Sequence, residues 1–363
     1  MRAPRRTASV ALVGMLALAV TACSAELASP PPEETPVYGG EAAEESASEG
    51  ALTATHTVEG YAPIEPAGRR LARASRSLAP ADAELPAGAT VTALRELRYD
   101  RVDATLVVDD ATARSYVVRS ADLAPLPAGV VPEYLKALRA RAGVALKSVA
   151  AEAGTPLDVA LTVDMCQSSK PWDKSLFDWV VRAGEALGRP LPVGVAMTGG
   201  WAKAHEPELA QLLAWNKQSK LDIVWINHSF THPLHCNAAR TSCAFLTAAS
   251  VDLRAEVTKN EELLLGQGQV PSALFRFPGL VHDATRRGEL AGLGLFALDA
   301  DAWLAKGERA HDGAVILVHG NGNEPAGIRA FLSLVDRDDW AGGLRAGRVA
   351  LVSPLRGALP SAR

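Results

Sequence analysis

From Leu157 onward, short apolar runs alternate with longer stretches in which apolar residues recur every third or fourth position. The runs LDVALTVD, LPVGVAMTG, LDIVWINH, SALFRFPG, LFALDADAW, GAVILVHG and RVALVSPL read as strands. Their near-continuous apolar character suits parallel strands covered on both faces. Between them, SLFDWVVRAGEALG, PELAQLLAWNKQ, VDLRAEVTKNEELLLGQG, TRRGELAGLG and GIRAFLSLV read as helices. Leu176, Trp179, Val180 and Ala183 share one face of the first helix. Repeated β–α units of this kind predict an α/β fold, either a barrel or a doubly wound sheet.

The chain ahead of this region follows another pattern. TVTALREL, DATLVVDD and ARSYVVRS alternate or run apolar around the turns YDRV and DDAT, which predicts a small antiparallel sheet. A helical pattern carrying Leu135, Leu138 and Val144 then extends from about Val131 to Ala153. Residues 86–155 are thus expected to form a small α+β region preceding a main domain at 156–357. Residues 24–60 are rich in Pro, Glu, Ser and Gly and lack Lys, Arg and any apolar period. With the basic stretch AGRRLARASRSLAP that follows, residues 24–85 read as a flexible tether.

The first 23 residues read as an export signal. Arg2, Arg5 and Arg6 precede the apolar run ASVALVGMLALAV, which is too short to span a bilayer comfortably. The following VTAC resembles a bacterial lipobox. That resemblance implies a lipid on Cys23, and an exported chain anchored to the cell membrane or outer membrane on its periplasmic or extracellular face. Export also implies an oxidising compartment, in which Cys236 and Cys243 can pair across a short loop. Cys166 is left over, either a buried small hydrophobe, the plainer reading, or a reactive thiol. A net charge of −4 argues against a nucleic-acid surface.

Candidate chemistry concentrates where the strands end. INHSFTHPLHCNAARTSC places His228, His232 and His235 close together, in a chain with only eight histidines. His228 and His232 are four apart, but Pro233 disfavours a helical His232, so the pair is expected on a strand-to-turn bend. Two imidazoles there can bind one divalent ion together with a carboxylate. Asp164, Asn227 with His228, Arg276, Asp299 with Asp301, and His319 all fall at or near the carboxyl ends of strands. In parallel α/β folds those ends meet on one face. His56, His205, His282 and His311 read as structural.

In order, TVDM, HSFTH, RFPG, DADAW and LVH resemble the five short motifs of the polysaccharide deacetylase family, also called the NodB-homology domain or carbohydrate esterase family 4. The resemblance covers residues 157 to about 355. It implies a distorted (β/α)7-type barrel and a metal-dependent deacetylase. The enzyme would act on N- or O-acetyl groups of a cell-envelope or extracellular polysaccharide. It implies zinc held by His228 and His232, Asp164 as general base and His319 as general acid. Arg276 would hold Asp164 through a bidentate pair, and Asp299, with Asp301 as the neighbouring candidate, would orient His319. Trp303, Leu317 and Pro278 would wall the acetyl group.

The first motif departs from the family pattern, because Met165 stands where a second, metal-binding aspartate is expected. Methionine is a poor substitute for carboxylate on zinc. Three arrangements stay open. Asp164 could turn to the metal; water, Cys166 or His235 could complete a two-histidine site; or the site could hold no metal. Gly279 also stands where an aromatic residue is usual. A catalytically impaired glycan-binding lipoprotein on the same barrel, or a hydrolase of another carbon–nitrogen bond, are the alternatives. No Gly-x-Ser-x-Gly elbow supports a serine esterase.

Overall fold

A computed structural model describes residues 52–65, 71–74, 77–78, 85–126, 130–149, 157–239 and 242–359. The expected signal segment with Cys23, and the tether up to residue 51, lie outside the described residues.

An antiparallel sheet comes first, formed by β1 (Val58–Pro63), β2 (Leu71–Ala74), β3 (Ala89–Tyr99), β4 (Val102–Asp109), β5 (Ser115–Arg119) and β6 (Ala124–Pro125). The order is β5-β4-β3-β2-β6, with β1 also paired to β3. The hairpin at YDRV turns through Asp100 and Arg101, both at positive φ, a twist that matches the flanking strands. Two of these strands fall inside the segment expected to be a tether. Backbone pairing along β3 orders β1 and β2 where local composition alone would not. Val58 and Tyr61 also pack on a small core of Leu97, Tyr99, Leu106 and Leu265.

The expected helix from Val131 to Ala153 is shorter, forming only α1 (Glu133–Arg141). Beyond it the chain runs extended, with Leu146 bridged to Leu298 and Ser148 to Ala314. These backbone groups find partners in the main domain, which a continued helix would have consumed internally.

The main domain is an α/β barrel of the distorted kind expected. Its parallel strands are β7 (Asp158–Met165), β8 (Leu191–Met197), β9 (Leu221–Asn227), β10 (Leu274–Phe275), β11 (Phe296–Ala297), β12 (Ala302–Trp303), β13 (Val315–His319) and β14 (Ala350–Leu351). They run β11-β10-β9-β8-β7-β13-β12, with β14 added alongside β7. The helices are α2 (Ser175–Leu187), α3 (Gly199–Ala204), α4 (Glu206–Lys217), α5 (Leu253–Gly266), α6 (Ala284–Gly292), α7 (Pro325–Val335) and α8 (Asp338–Arg345). The pattern did not predict α3 or α8. Asp338 and Asp339 occupy the first turn of α8, where carboxylates favour the helix dipole. LFALDADAW is two strands, not one. Asp299 N–H donates to Leu146 and Asp301 N–H to Val315, so the ladder breaks between them.

Side chains of β7 separate by alternation. Val159, Leu161, Val163 and Met165 join the core formed with Leu176, Phe177, Val180 and Phe331 of the helices. Ala160 joins a second cluster with Val224, Ile226, Leu274 and Val315. Thr162 and Asp164, on that same face, meet Arg276 inside the barrel. Emptying one large position in the outer cluster, such as Phe177→Ala, would cost about 3–5 kcal/mol.

The antiparallel sheet is fastened to α5 by a buried ion pair. Arg95 Nε and one terminal nitrogen each lie 2.9 Å from a different oxygen of Glu261. Tyr61 donates to the same carboxylate at 2.8 Å. The other terminal nitrogen of Arg95 donates to the carbonyls of Leu94 and Leu293.

Candidate active site

β7 ends at Asp164 and Met165, and its neighbour β13 ends at His319 in direct register with Asp164. β9 ends at Asn227, so His228 leaves the sheet two strands away on the other side of β7. Strand order thus brings together residues far apart in sequence.

The HSFTH segment is a tight turn, with Ser229 and His232 at positive φ. Its backbone is held from both sides. The Ser229 N–H donates to Asn227 Oδ1, and the Phe230 and Thr231 N–H groups donate to Glu256 of α5 at 2.9 and 2.8 Å. The His232 N–H donates to Ser229 Oγ. The strand-to-turn bend expected for the pair is what the chain forms. The His228 and His232 rings stand edge to face, 5.1 Å apart.

Beyond the turn, Cys236 and Cys243 form the expected disulfide, closing a short loop. Backbone bonds from Ala244 to His235 and from Phe245 to Leu234 extend that bracing. They deliver Phe245 against His232, at 5.7 Å between ring centroids. Gly279 takes φ +62, and a Cβ there would come within 2.7 Å of the Phe245 ring. Phe245 therefore occupies the space that a side chain at position 279 would need, a contact that nothing in the local sequence announced. His235 is exposed and takes no part in the cluster of ligating groups.

Arg276 follows β10 and is fully buried. It donates to Asp164 Oδ1 at 2.7 Å and to Thr162 Oγ1 at 2.7 Å. Its remaining nitrogens go to the carbonyls of Leu298 and Asp299. The expected bidentate pair is thus a single contact, because the guanidinium is divided between the ends of β7 and β11. Asp164 Oδ2 is left free of Arg276 and lies 3.7 Å from His228 Nε2. Burial opposes the charge on Asp164, but Arg276 first and His228 next outweigh it and hold the carboxyl below its usual value.

His319 is not oriented by Asp299. Its Nδ1 lies 2.7 Å from Glu324, in the loop following β13. Asp299 instead meets His282 Nε2 at 3.0 Å, with Arg287 on the opposite nitrogen of that ring. Asp301 accepts from Val315 N–H and lies 3.3 Å from His311. The break between β11 and β12 turns both aspartates away, and the loop after β13 supplies the carboxylate. Burial disfavours imidazolium at His319, yet Cys166, Glu324 and Asp164 lift it well above the usual imidazole value. Burial likewise disfavours a charged Glu324, but the contacts with His319 and then Trp303 lower its pKa.

Trp303 stands beside His319 at 5.6 Å and donates from its indole to Glu324 at 2.8 Å. It therefore helps fix the carboxylate as well as bordering the imidazole. Leu317 is buried on the inner face of β13, two positions below His319. Pro278 is buried in the short turn that follows Arg276 and Phe277.

Met165 faces the helix layer. A Cβ on Gly320 would meet its sulfur at 2.6 Å, which shows how closely the thioether is packed there. Cys166, the next residue, turns inward, with its sulfur 3.3 Å from His228 Nε2. The plainer reading of Cys166 as an inert buried side chain misses this position. Cys166, His228 and His232 offer ligand atoms within 4.8 Å of one another, and Asp164, Cys166 and His319 do the same.

The donor set fits a divalent cation. His228 donates from Nδ1 to the Arg276 carbonyl at 2.8 Å, which leaves the Nε2 lone pair facing the cluster. The buried His232 Nε2 has no hydrogen-bond partner. A buried polar atom without a partner is costly in a folded chain, and a ligand directed at it removes the cost.

No family model matches the chain. Its fold is similar to that of a family 4 carbohydrate esterase from Bacillus anthracis, at 19% identity over 62% of this chain and 92% of that one, TM-score 0.40. It is also similar to the peptidoglycan deacetylase PdaC from Bacillus subtilis, at 16% identity over 57% and 93%, TM-score 0.38. A third similar structure is BA3943, a CE4 family pseudoenzyme from Bacillus anthracis, at 15% identity over 56% and 66%, TM-score 0.38.

Proposed function

We propose that this chain is a metal-dependent deacetylase that hydrolyses acetyl groups on a cell-envelope or extracellular polysaccharide. The observation that carries the reading is that two held proton-transfer groups, Asp164 and His319, stand side by side at neighbouring strand ends with His228 3.7 Å from the free oxygen of Asp164. Asp164 is pinned on one oxygen by Arg276 and open on the other. His319 is pinned on Nδ1 by Glu324, and its ring also meets the Cys166 thiol. His228 and His232 would hold the ion. A divalent cation there supplies Lewis acidity, polarising the acetyl carbonyl and lowering the pKa of water.

The protein's own residues perform the proton transfers. Asp164 Oδ2 accepts a proton from the attacking water as its oxygen adds to the carbonyl carbon. As the carbonyl carbon–nitrogen bond breaks, its electron pair passes to nitrogen, and His319 Nε2 delivers a proton there. For an O-acetyl group the same proton goes to the leaving oxygen. Arg276 and Glu324 position the two groups and stabilise their charged forms. Trp303 borders the acid with an aromatic face of the kind that stacks on a sugar ring.

The reading includes an exported chain anchored through Cys23, which would put the barrel beside envelope glycan at the end of a tether. Release of acetate from acetylated chitooligosaccharide or peptidoglycan, dependent on added zinc and abolished by chelator, is the expected result. Zinc-replete protein that releases no acetate from either substrate, while still binding them, would instead support the glycan-binding alternative.

A further inference from the structure

We infer that the thiolate of Cys166 is the third protein ligand of the cation, giving a Cys-His-His site in place of a carboxylate-containing one. This rests on the reading that His228 and His232 hold an ion. Alternation along β7 buries Met165 among the helices, so its side chain does not reach the cluster. The strand ends there, and Cys166 returns its side chain to the inner face. Its backbone is fixed, because the fully buried Asn321 donates to the Cys166 carbonyl at 3.0 Å.

The spacing suits shared coordination. Nitrogen and sulfur on one tetrahedral zinc, at ordinary bond lengths, stand roughly 3.6 Å apart. Cys166 Sγ and His228 Nε2 are 3.3 Å apart, and the His232 ligand atom lies within 4.8 Å of both. His232 is nine-tenths buried, and its Nε2 is the unpartnered atom. A thiolate acting instead as a nucleophile through His319 would leave that nitrogen without a task. Cys166 is also free, whereas Cys236 and Cys243 are consumed by their disulfide.

The chemical consequence is selectivity. Thiolate with two imidazoles favours zinc or cobalt(II) and disfavours magnesium or calcium, which prefer oxygen. Coordination expels the thiol proton, so binding releases acid into solution.

The test uses the full chain, stripped with chelator and reloaded with cobalt(II) at one ion per chain. A near-ultraviolet thiolate-to-cobalt charge-transfer band is expected in the unaltered protein. It should vanish in Cys166→Ser, which also separates Cys166 from Cys23 as its source. Zinc affinity of that variant should fall by roughly tenfold or more, since even loss of an outer-shell partner costs that much. Cobalt bound without the band, or Cys166→Ser holding zinc as tightly as the parent, would overturn the inference. The parent spectrum needs no variant, so it stands even if Cys166→Ser fails to fold. Acetate release measured on the same samples separates the two readings. The band without acetate release overturns the deacetylase reading and leaves the ligand set intact. Zinc-dependent release without the band does the reverse.

Discussion

Among the described residues two arginine–carboxylate pairs are buried on both sides, and they are built differently. Arg95 grips both oxygens of Glu261, Tyr61 adds a third donor, and the spare nitrogens of Arg95 are taken by carbonyls. Nothing in that pair is left to react. Arg276 touches a single oxygen of Asp164 with a nitrogen that also serves Thr162, and spends its other two nitrogens on the carbonyls of Leu298 and Asp299. The second carboxylate oxygen is left facing the imidazoles. A saturated pair joins parts of a fold, whereas a deliberately incomplete one holds a reactive atom in place.

The contrast can be broken from either side. The largest effect is expected for Asp164→Asn, with turnover lowered roughly 10²- to 10⁴-fold. Zinc content by elemental analysis should stay near one per chain, and a variant that loses its zinc would make Asp164 a ligand rather than the base. Glu261→Gln should instead lower stability to urea by about 3–5 kcal/mol, because it strands Arg95 in the interior. Residual turnover per folded molecule should change little. Equal damage to turnover and stability from both variants would erase the distinction.

Smaller effects sharpen the picture. Replacing Cys236 and Cys243 with serine should cost about 2 kcal/mol in thermal or denaturant unfolding, as expected for freeing so short a loop. Phe245 would then be less firmly held against His232. Glu324→Gln should lower turnover near neutrality only modestly. His319 must be protonated to act as an acid, so turnover falls as pH rises through its raised pKa. Removing Glu324 lowers that pKa, and the alkaline limb of the pH–rate profile should move to lower pH. An unmoved limb would mean that another group controls it.

Much of the site was legible because parallel strands expose their carboxyl ends together. Asp164, His228, Arg276 and His319 stand at or just beyond such ends, and reading strands was enough to gather them. Glu324 was hidden in HGNGNEP, where only the path of the chain after His319 shows that it turns back. Asp299 was misjudged because a continuous apolar run conceals the break between β11 and β12. Cys166 stood only as one of several groups that could complete the site, since its place depends on Met165 facing outward. The first two strands of the antiparallel sheet were missed for a related reason: their partner is distant, and their own composition is that of a linker.

Two of the glutamates on helix α5 have separate errands. Glu261 is locked to the antiparallel sheet, while Glu256, little more than one turn earlier, grips the loop from which both imidazoles hang. The small sheet thereby acts as a splint for a centre that it supplies with no ligand. A force that prises the sheet away would travel along a single rod to the loop, so the hold on the HSFTH turn is shared by strands outside the barrel.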